Sequence, residues 1–208
     1  PEAWKRDQWG GWNCPRWSPD GSKLAVVNWD LVLGGFGPHG YEGVLYIANS
    51  DGTALIELAD TNSCAAWSPD GERLVFSYQG TLYVIDVATR KRIALIQLSP
   101  ETFQLTWSPD WSPDGTTIVY ETDDAIYELD IGSLRVTRLT DLCQGCDYDN
   151  PRYSPDGQQI VFAWILGVEG SRNGIYVLHR DGTHVTWLHS GVLPTWSPDG
   201  RHIAFIDS

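Results

Sequence analysis

The chain has 208 residues, 42% hydrophobic and 20% charged, with a formal net charge of −13; a domain of this size buries roughly 70% of its surface on folding and needs no staple. The acidic balance excludes nucleic acid and disfavours anionic membrane surfaces, because phosphate binding needs clustered Lys and Arg. No apolar run approaches the roughly eighteen residues of a spanning helix, so no membrane insertion is expected.

The N-terminal PEAWKRDQ has neither Met nor a signal-like apolar core and reads as the start of a mature or excised piece. WSPDG at 17–21 then opens a first unit. It continues through the apolar run KLAVVNW, the long loop LVLGGFGPHGYEG at 31–43, VLYIA around Tyr46, the turn NSDG and the run ALIELA. WSPDG at 67–71 starts a second unit, RLVFSY, TLYVI and RIALIQL. The third carries the phrase twice, WSPDWSPDG at 107–115, before TIVYET, AIYEL and RVTRLT. A long acidic crossover, DLCQGCDYDN at 141–150, leads to YSPDG at 153–157, QIVFAW, the loop ILGVEGSRNG at 165–174, GIYVL, HRDG and HVTWLH. WSPDG at 196–200 and HIAFID close the chain.

The repeat glycines, Gly21, Gly71, Gly115, Gly157 and Gly200, recur every 42 to 50 residues, roughly the period of a repeat architecture. Each period holds four short runs rich in Val, Ile, Tyr and Thr, bounded by turn residues, without helical periodicity. Four antiparallel strands per repeat predict an all-β propeller blade. One propeller domain over 1–208 is expected, with blades at about 13–60, 61–102, 103–141, 142–190 and 191–208, the last completed in part by 1–12. In Ser-Pro-Asp-Gly, Pro presets φ, Asp suits the second central position, and Gly accepts the left-handed conformation. The doubled phrase reads as a four-residue insertion in one hairpin loop. Counted from Leu98, Trp107 keeps the strand anchor, Asp114 and Gly115 keep the turn, and Ser108–Trp111 bulge outward.

These phrases, WSPDG followed by an apolar strand and an apolar-Tyr-apolar strand, resemble the TolB-type β-propellers from Asn13 to Asp207. The resemblance implies radially arranged blades and a function among three kinds: protein-binding scaffolds outside the cytoplasm, propellers attached to prolyl-oligopeptidase-type hydrolases, and polysaccharide lyases. The fifth repeat stops after its second strand, so the chain is either a compact five-bladed ring with a thin last blade or, the favoured expectation, a fragment of a larger propeller, whose open blade edges would favour self-association.

Both long loops and the crossover at 141–150 are expected on one face, where a protein or glycan partner would bind. Candidate contacts there are Trp29 and Trp164, an aromatic platform or caps of their blade sheets, with Phe36, His39 and Tyr41 in the first loop and Asp147, Tyr148, Asp149 and Asn150 in the crossover. Asp147, Asp149 and Asn150 lack the pattern of a calcium loop. Arg16 and Arg152 hold the same place, one residue before the repeat aromatic. His179 and His184 flank the Asp181-Gly182 turn and face each other as a polar pair, with no third ligand evident for a metal. Cys143 and Cys146 either bridge locally or stay reduced, while Cys14 and Cys64 stand alone and form no metal pattern. With no GxSxG and no Ser-His-Asp set, no catalytic residue, cofactor or metal is assigned. The expected function is non-catalytic binding by an extracytoplasmic propeller. The alternatives are an accessory propeller gating substrate for a hydrolase, or a lyase-like propeller.

Overall fold

The computed structural model describes residues 11–29, 43–98, 108–122, 124–141, 146–166 and 172–207. Every regular element among them is a strand, and together they form a β-propeller fold of four-stranded antiparallel blades. Two compact units divide the chain, Pro1–Leu105 and Thr106–Ser208. The first holds blade one, β1 (Gly11–Trp17), β2 (Lys23–Trp29), β3 (Gly43–Asn49) and β4 (Ile56–Thr61), and blade two, β5 (Ala66–Trp67), β6 (Arg73–Tyr78), β7 (Thr81–Asp86) and β8 (Arg92–Gln97). The second holds blade three, β9 (Asp110–Trp111), β10 (Thr117–Glu121), β11 (Ile126–Asp130) and β12 (Val136–Arg138), and blade four, β13 (Cys146–Tyr153), β14 (Gln159–Leu166), β15 (Gly174–His179) and β16 (Thr186–His189). A two-stranded sheet, β17 (Val192–Trp196) and β18 (Ile203–Ile206), follows. Gly11 and Trp12 pair with Trp29 and Asn28 in blade one. Residues 1–10 lie outside the described residues.

Burial explains the strand patterns. The second strand of each blade is covered on both sides: β10 is buried throughout, and Leu74 to Ser77 of β6 are buried without a break. A strand in that position must be apolar at successive residues rather than at alternate ones. The fourth strand is the solvent side, and β12 is exposed at every residue.

The five Ser-Pro-Asp-Gly turns are near copies. Their glycines all lie at φ between 68° and 72°, left-handed backbone that a side chain would strain. Ser112 Oγ donates to Asp114 at 2.6 Å and accepts the Thr117 N–H at 3.0 Å. Asp114 also accepts the Thr116 N–H at 2.9 Å. Each serine thus closes its hairpin and orients the aspartate in one step.

This geometry corrects the reading of the doubled phrase. Trp111, only 4% exposed, is the anchor and pairs with Ile118, while Ser108 is also buried. Nothing in Ser108–Trp111 bulges outward. Because the serine bonds its own turn, the residue before it is fixed as the last of the entering strand. The tryptophan therefore travels with the glycine of its own copy. The extra residues fall upstream, in 99–107, a segment that includes Trp107 and lies outside the described residues. Ser108-Pro109-Asp110 takes the place that Cys14-Pro15-Arg16 and Asn150-Pro151-Arg152 hold in their blades.

Cys14 and Cys64 do not stand alone; they form a disulfide with a Cα–Cα distance of 5.5 Å. Each lies three residues before its blade tryptophan, Trp17 or Trp67, so the bridge joins equivalent points of the two entering strands. The same strands are joined again where the Trp67 indole N–H donates to the Arg16 carbonyl at 2.9 Å. Blades four and five repeat that bond, Trp196 to the Arg152 carbonyl at 3.2 Å.

Candidate functional site

Strand β13 gathers most of the candidate residues. Tyr148 pairs with Trp164 and Asp149 with Ala163 on β14, so alternate residues serve opposite faces. On one face Tyr148 stacks on Trp164, with centroids 5.5 Å apart and planes at 11°, and Tyr176 meets Trp164 edge-on at 5.1 Å. Phe162 stacks on Tyr176 at 5.7 Å, and Trp187 packs against the same cluster. Arg172 lies over the Trp187 ring at 5.0 Å, and the Tyr176 hydroxyl donates to the Arg172 carbonyl at 2.7 Å. These contacts anchor the chain where it re-enters the sheet after the 165–174 loop. The Trp164 Nε1 is buried and finds no acceptor among the described residues. Buried donors are rarely left so.

On the other face lie Asp147 and Asp149. Burial pushes both carboxyls above the usual range, and for Asp149 the Asp147 charge adds to the rise while Arg152 opposes it. Beyond Asp149 the ladder shifts register, and Asn150 takes a left-handed conformation at φ 58°. This bulge turns Asn150 and Arg152 toward each other. Arg152 is buried, 7% exposed, and its guanidinium donates to the Asn150 side chain at 2.5 Å and to the Ser108 and Pro151 carbonyls at 2.8 Å each. Asn150 Nδ2 in turn donates to the Pro194 carbonyl at 3.4 Å. One polar joint therefore ties the entering strands of blades three, four and five.

The other candidates are placed differently. Trp29 is half-buried at the end of β2 and packs into the blade-one and blade-two core beside Cys14. A Cβ on Gly43 would fall 2.7 Å from its ring, which is why β3 starts with glycine. Arg16 occupies the repeat position of Arg152 but is half-buried, and its guanidinium donates to the neighbouring Pro15 carbonyl at 3.3 Å. Phe36, His39, Tyr41 and Cys143, and the side chain of Cys146, lie outside the described residues. Among those described, no three His, Cys, Asp or Glu come together to hold a metal ion, and no helix is long and apolar enough to cross a membrane. Sequence reasoning missed Tyr176, Trp187 and Arg172 as members of the blade-four cluster. The available signal was the return of an aromatic at alternate positions of β14 and at the start of β15.

Comparison with known proteins agrees with this architecture. A family model described as a TolB beta propeller domain matches residues 12–208. No curated protein matches the chain in sequence. Among solved structures, the chain resembles TolB from Acinetobacter baumannii at 23% identity and a TM-score of 0.70, over 92% of this chain and 47% of that one. It resembles oligogalacturonate lyase from Vibrio parahaemolyticus at 15% identity and a TM-score of 0.67, over 90% of this chain and 56% of that one. It also resembles acylaminoacyl peptidase from Pyrococcus horikoshii at 17% identity and a TM-score of 0.59, over 97% of this chain and 36% of that one. The chain thus spans about half the length, or less, of these structures.

Proposed function

The chain belongs to the TolB β-propeller family, and from that premise we propose that it is a non-catalytic binding module. It would engage a protein partner through the loop-bearing end of blade four. The observation that carries this reading is the aromatic cluster of Tyr148, Trp164, Tyr176 and Trp187, in which Trp164 and Trp187 are half-buried, at the root of the 165–174 loop. A rigid, half-buried aromatic surface suits an apolar side chain of a partner. Asp147 and Asp149 on the same strand would supply the polar part of the contact, and the buried Asn150 and Arg152 would hold that strand in place. Trp29, Phe36, His39, Tyr41 and Arg16 would form a separate contact on blade one. The Cys14–Cys64 disulfide supports an oxidising, extracytoplasmic setting.

A second reading, an accessory propeller of a larger hydrolase, draws on the likeness to the acylaminoacyl peptidase. The two readings differ in whether the module captures a separate chain. The test compares wild type with Trp164→Phe and Trp164→Ala in crosslinked capture from a periplasmic or secreted extract. Trp164→Phe keeps an aromatic ring in the stack but less of its surface, and should weaken capture about threefold. Trp164→Ala should abolish capture while the thermal melt still shows a folded protein. Capture unchanged in both variants removes the proposal.

A further inference from the structure

The hairpin turn between β15 and β16 holds a second set of residues, unconnected with the blade-four cluster. His179 and His184 are both exposed, and their rings lie 4.7 Å apart between centroids, tilted by 31°. His184 has φ 56°, a left-handed conformation that folds its ring back over the turn. The turn itself is rigid. His179 N–H donates to the Thr183 carbonyl and Gly182 N–H to the His179 carbonyl, each at 2.8 Å.

The hydrogen bonds also fix which ring nitrogen of His184 carries the proton. Thr183 Oγ1 donates to Asp181 Oδ1 at 2.6 Å, and Thr183 Oγ1 lies 2.8 Å from His184 Nδ1. At neutral pH an aspartate carboxylate is ionised and only accepts. A hydroxyl has one proton, and that proton is spent on Asp181. The 2.8 Å contact is then a bond donated by Nδ1–H of His184 to Thr183 Oγ1. In the neutral ring, Nε2 keeps its lone pair. Orientation of a histidine through its second nitrogen is the arrangement found behind metal ligands, with the carboxylate here acting through a hydroxyl.

We propose that His179 and His184 form a two-imidazole site for a divalent transition-metal ion, with Nε2 of His184 as one ligand and a ring nitrogen of His179 as the other. The sequence alone favours a polar pair; the ring separation and the fixed tautomer argue for chelation. Imidazole donors select Cu(II), Ni(II) and Zn(II) over Mg(II) and Ca(II), with Cu(II) tightest. No third His, Cys, Asp or Glu joins the pair among the described residues, so the remaining positions are open to water or to a donor from outside. Asp156 and Asp181 line the cleft beside His179 together with Arg180, whose charge is paired with Asp114 and Glu128.

The probe is Cu(II), titrated into the metal-stripped full chain and followed by electron paramagnetic resonance. The first equivalent should show coupling to two imidazole nitrogens. His179→Gln and His184→Gln should each weaken binding about tenfold or more and leave at most one coupled nitrogen. Thr183→Val should weaken it several-fold, because the tautomer is no longer fixed, and His202→Gln, on another turn, should change nothing. All four positions are exposed, and unchanged thermal melts establish that the variants fold. Survival of the two-nitrogen signal in either single histidine variant, or the lack of saturable binding in the wild type, overturns the proposal.

Discussion

The position three residues before the blade aromatic is solved in two ways. In the first unit it is covalent, Cys14 to Cys64. In the second it is polar, Ser108 and Asn150 joined through the buried Arg152. The backbone frame is shared, since Cys14 and Asn150 both take left-handed φ values, 54° and 58°. The two solutions act on different states. A disulfide works mainly by restricting the unfolded chain, whereas the polar joint works only while its buried groups satisfy one another. The turn residues barely vary from repeat to repeat, so chemistry has room to diverge at the entering strand and in the loops.

The largest expected effect breaks the covalent solution. Cys14→Ser with Cys64→Ser opens a link of sequence separation 50, which should cost about 4 kcal/mol in urea unfolding of the first unit. Reducing agent should reproduce the loss in the wild type. Hydrogen exchange should quicken in β1 and β5 and stay unchanged in β13 and β14. Faster exchange in β13 would mean that the disulfide acts beyond its own unit.

Breaking the polar solution should cost slightly less. Arg152→Met leaves the Ser108 and Pro151 carbonyls and the Asn150 side chain without their shared donor, a loss of about 3 kcal/mol. Asn150→Ala in the Arg152→Met background should add little, because both changes remove the same joint. Full additivity of the two would show that Asn150 stabilises the bulge independently.

The shared frame should give a smaller effect. Ser112→Ala removes both the Asp114 and the Thr117 bonds at a fully buried serine, and about 1.5 kcal/mol is expected. The half-buried Ser197 makes the same bonds to Asp199 and His202, so Ser197→Ala should cost less because water replaces its partners. Equal losses at the two sites would show that burial does not set the worth of the turn.

This contrast also marks what a reader of the sequence can see. The turns are legible because Pro, Asp and Gly each answer a local backbone need, and the second strands are legible because double coverage forces continuous apolar runs. The entering strands are not, because their partners come from the next repeat. Cys14 and Cys64 share one offset from Trp17 and Trp67, and that offset was the available signal for the bridge. Counting forward from Leu98 assigns the anchor to Trp107, but the hydrogen bonds of Ser112 set the frame from the opposite side and assign it to Trp111. Arg16 and Arg152 look identical in PRW and PRY. The Ser108 carbonyl and the Asn150 side chain make Arg152 a buried joint.

The smallest effects separate two kinds of aspartate. In the turns the folded state holds the carboxyl low: Asp20 lies at about 2, drawn down first by Ser18, and Asp70, Asp114, Asp156 and Asp199 follow the same direction. A depressed carboxyl contributes stability above its unfolded value, near 4, that is lost as pH falls toward the folded value. On β13 the sign is reversed. Asp147 and Asp149 are raised by burial, so the folded chain binds their protons more tightly and gains stability as pH falls through their folded values toward the unfolded one. Acid titration of the wild type should therefore show a shallow rise above about pH 4, followed by a decline toward about pH 2. Changing Asp147 and Asp149 together to Asn should flatten the rise and leave the decline, whereas Asp114→Asn should soften the decline and leave the rise. A rise that persists with Asp147 and Asp149 both changed to Asn would mean that this face of β13 is not where those protons bind, and the polar joint beside it would lose its electrostatic distinction from the turns.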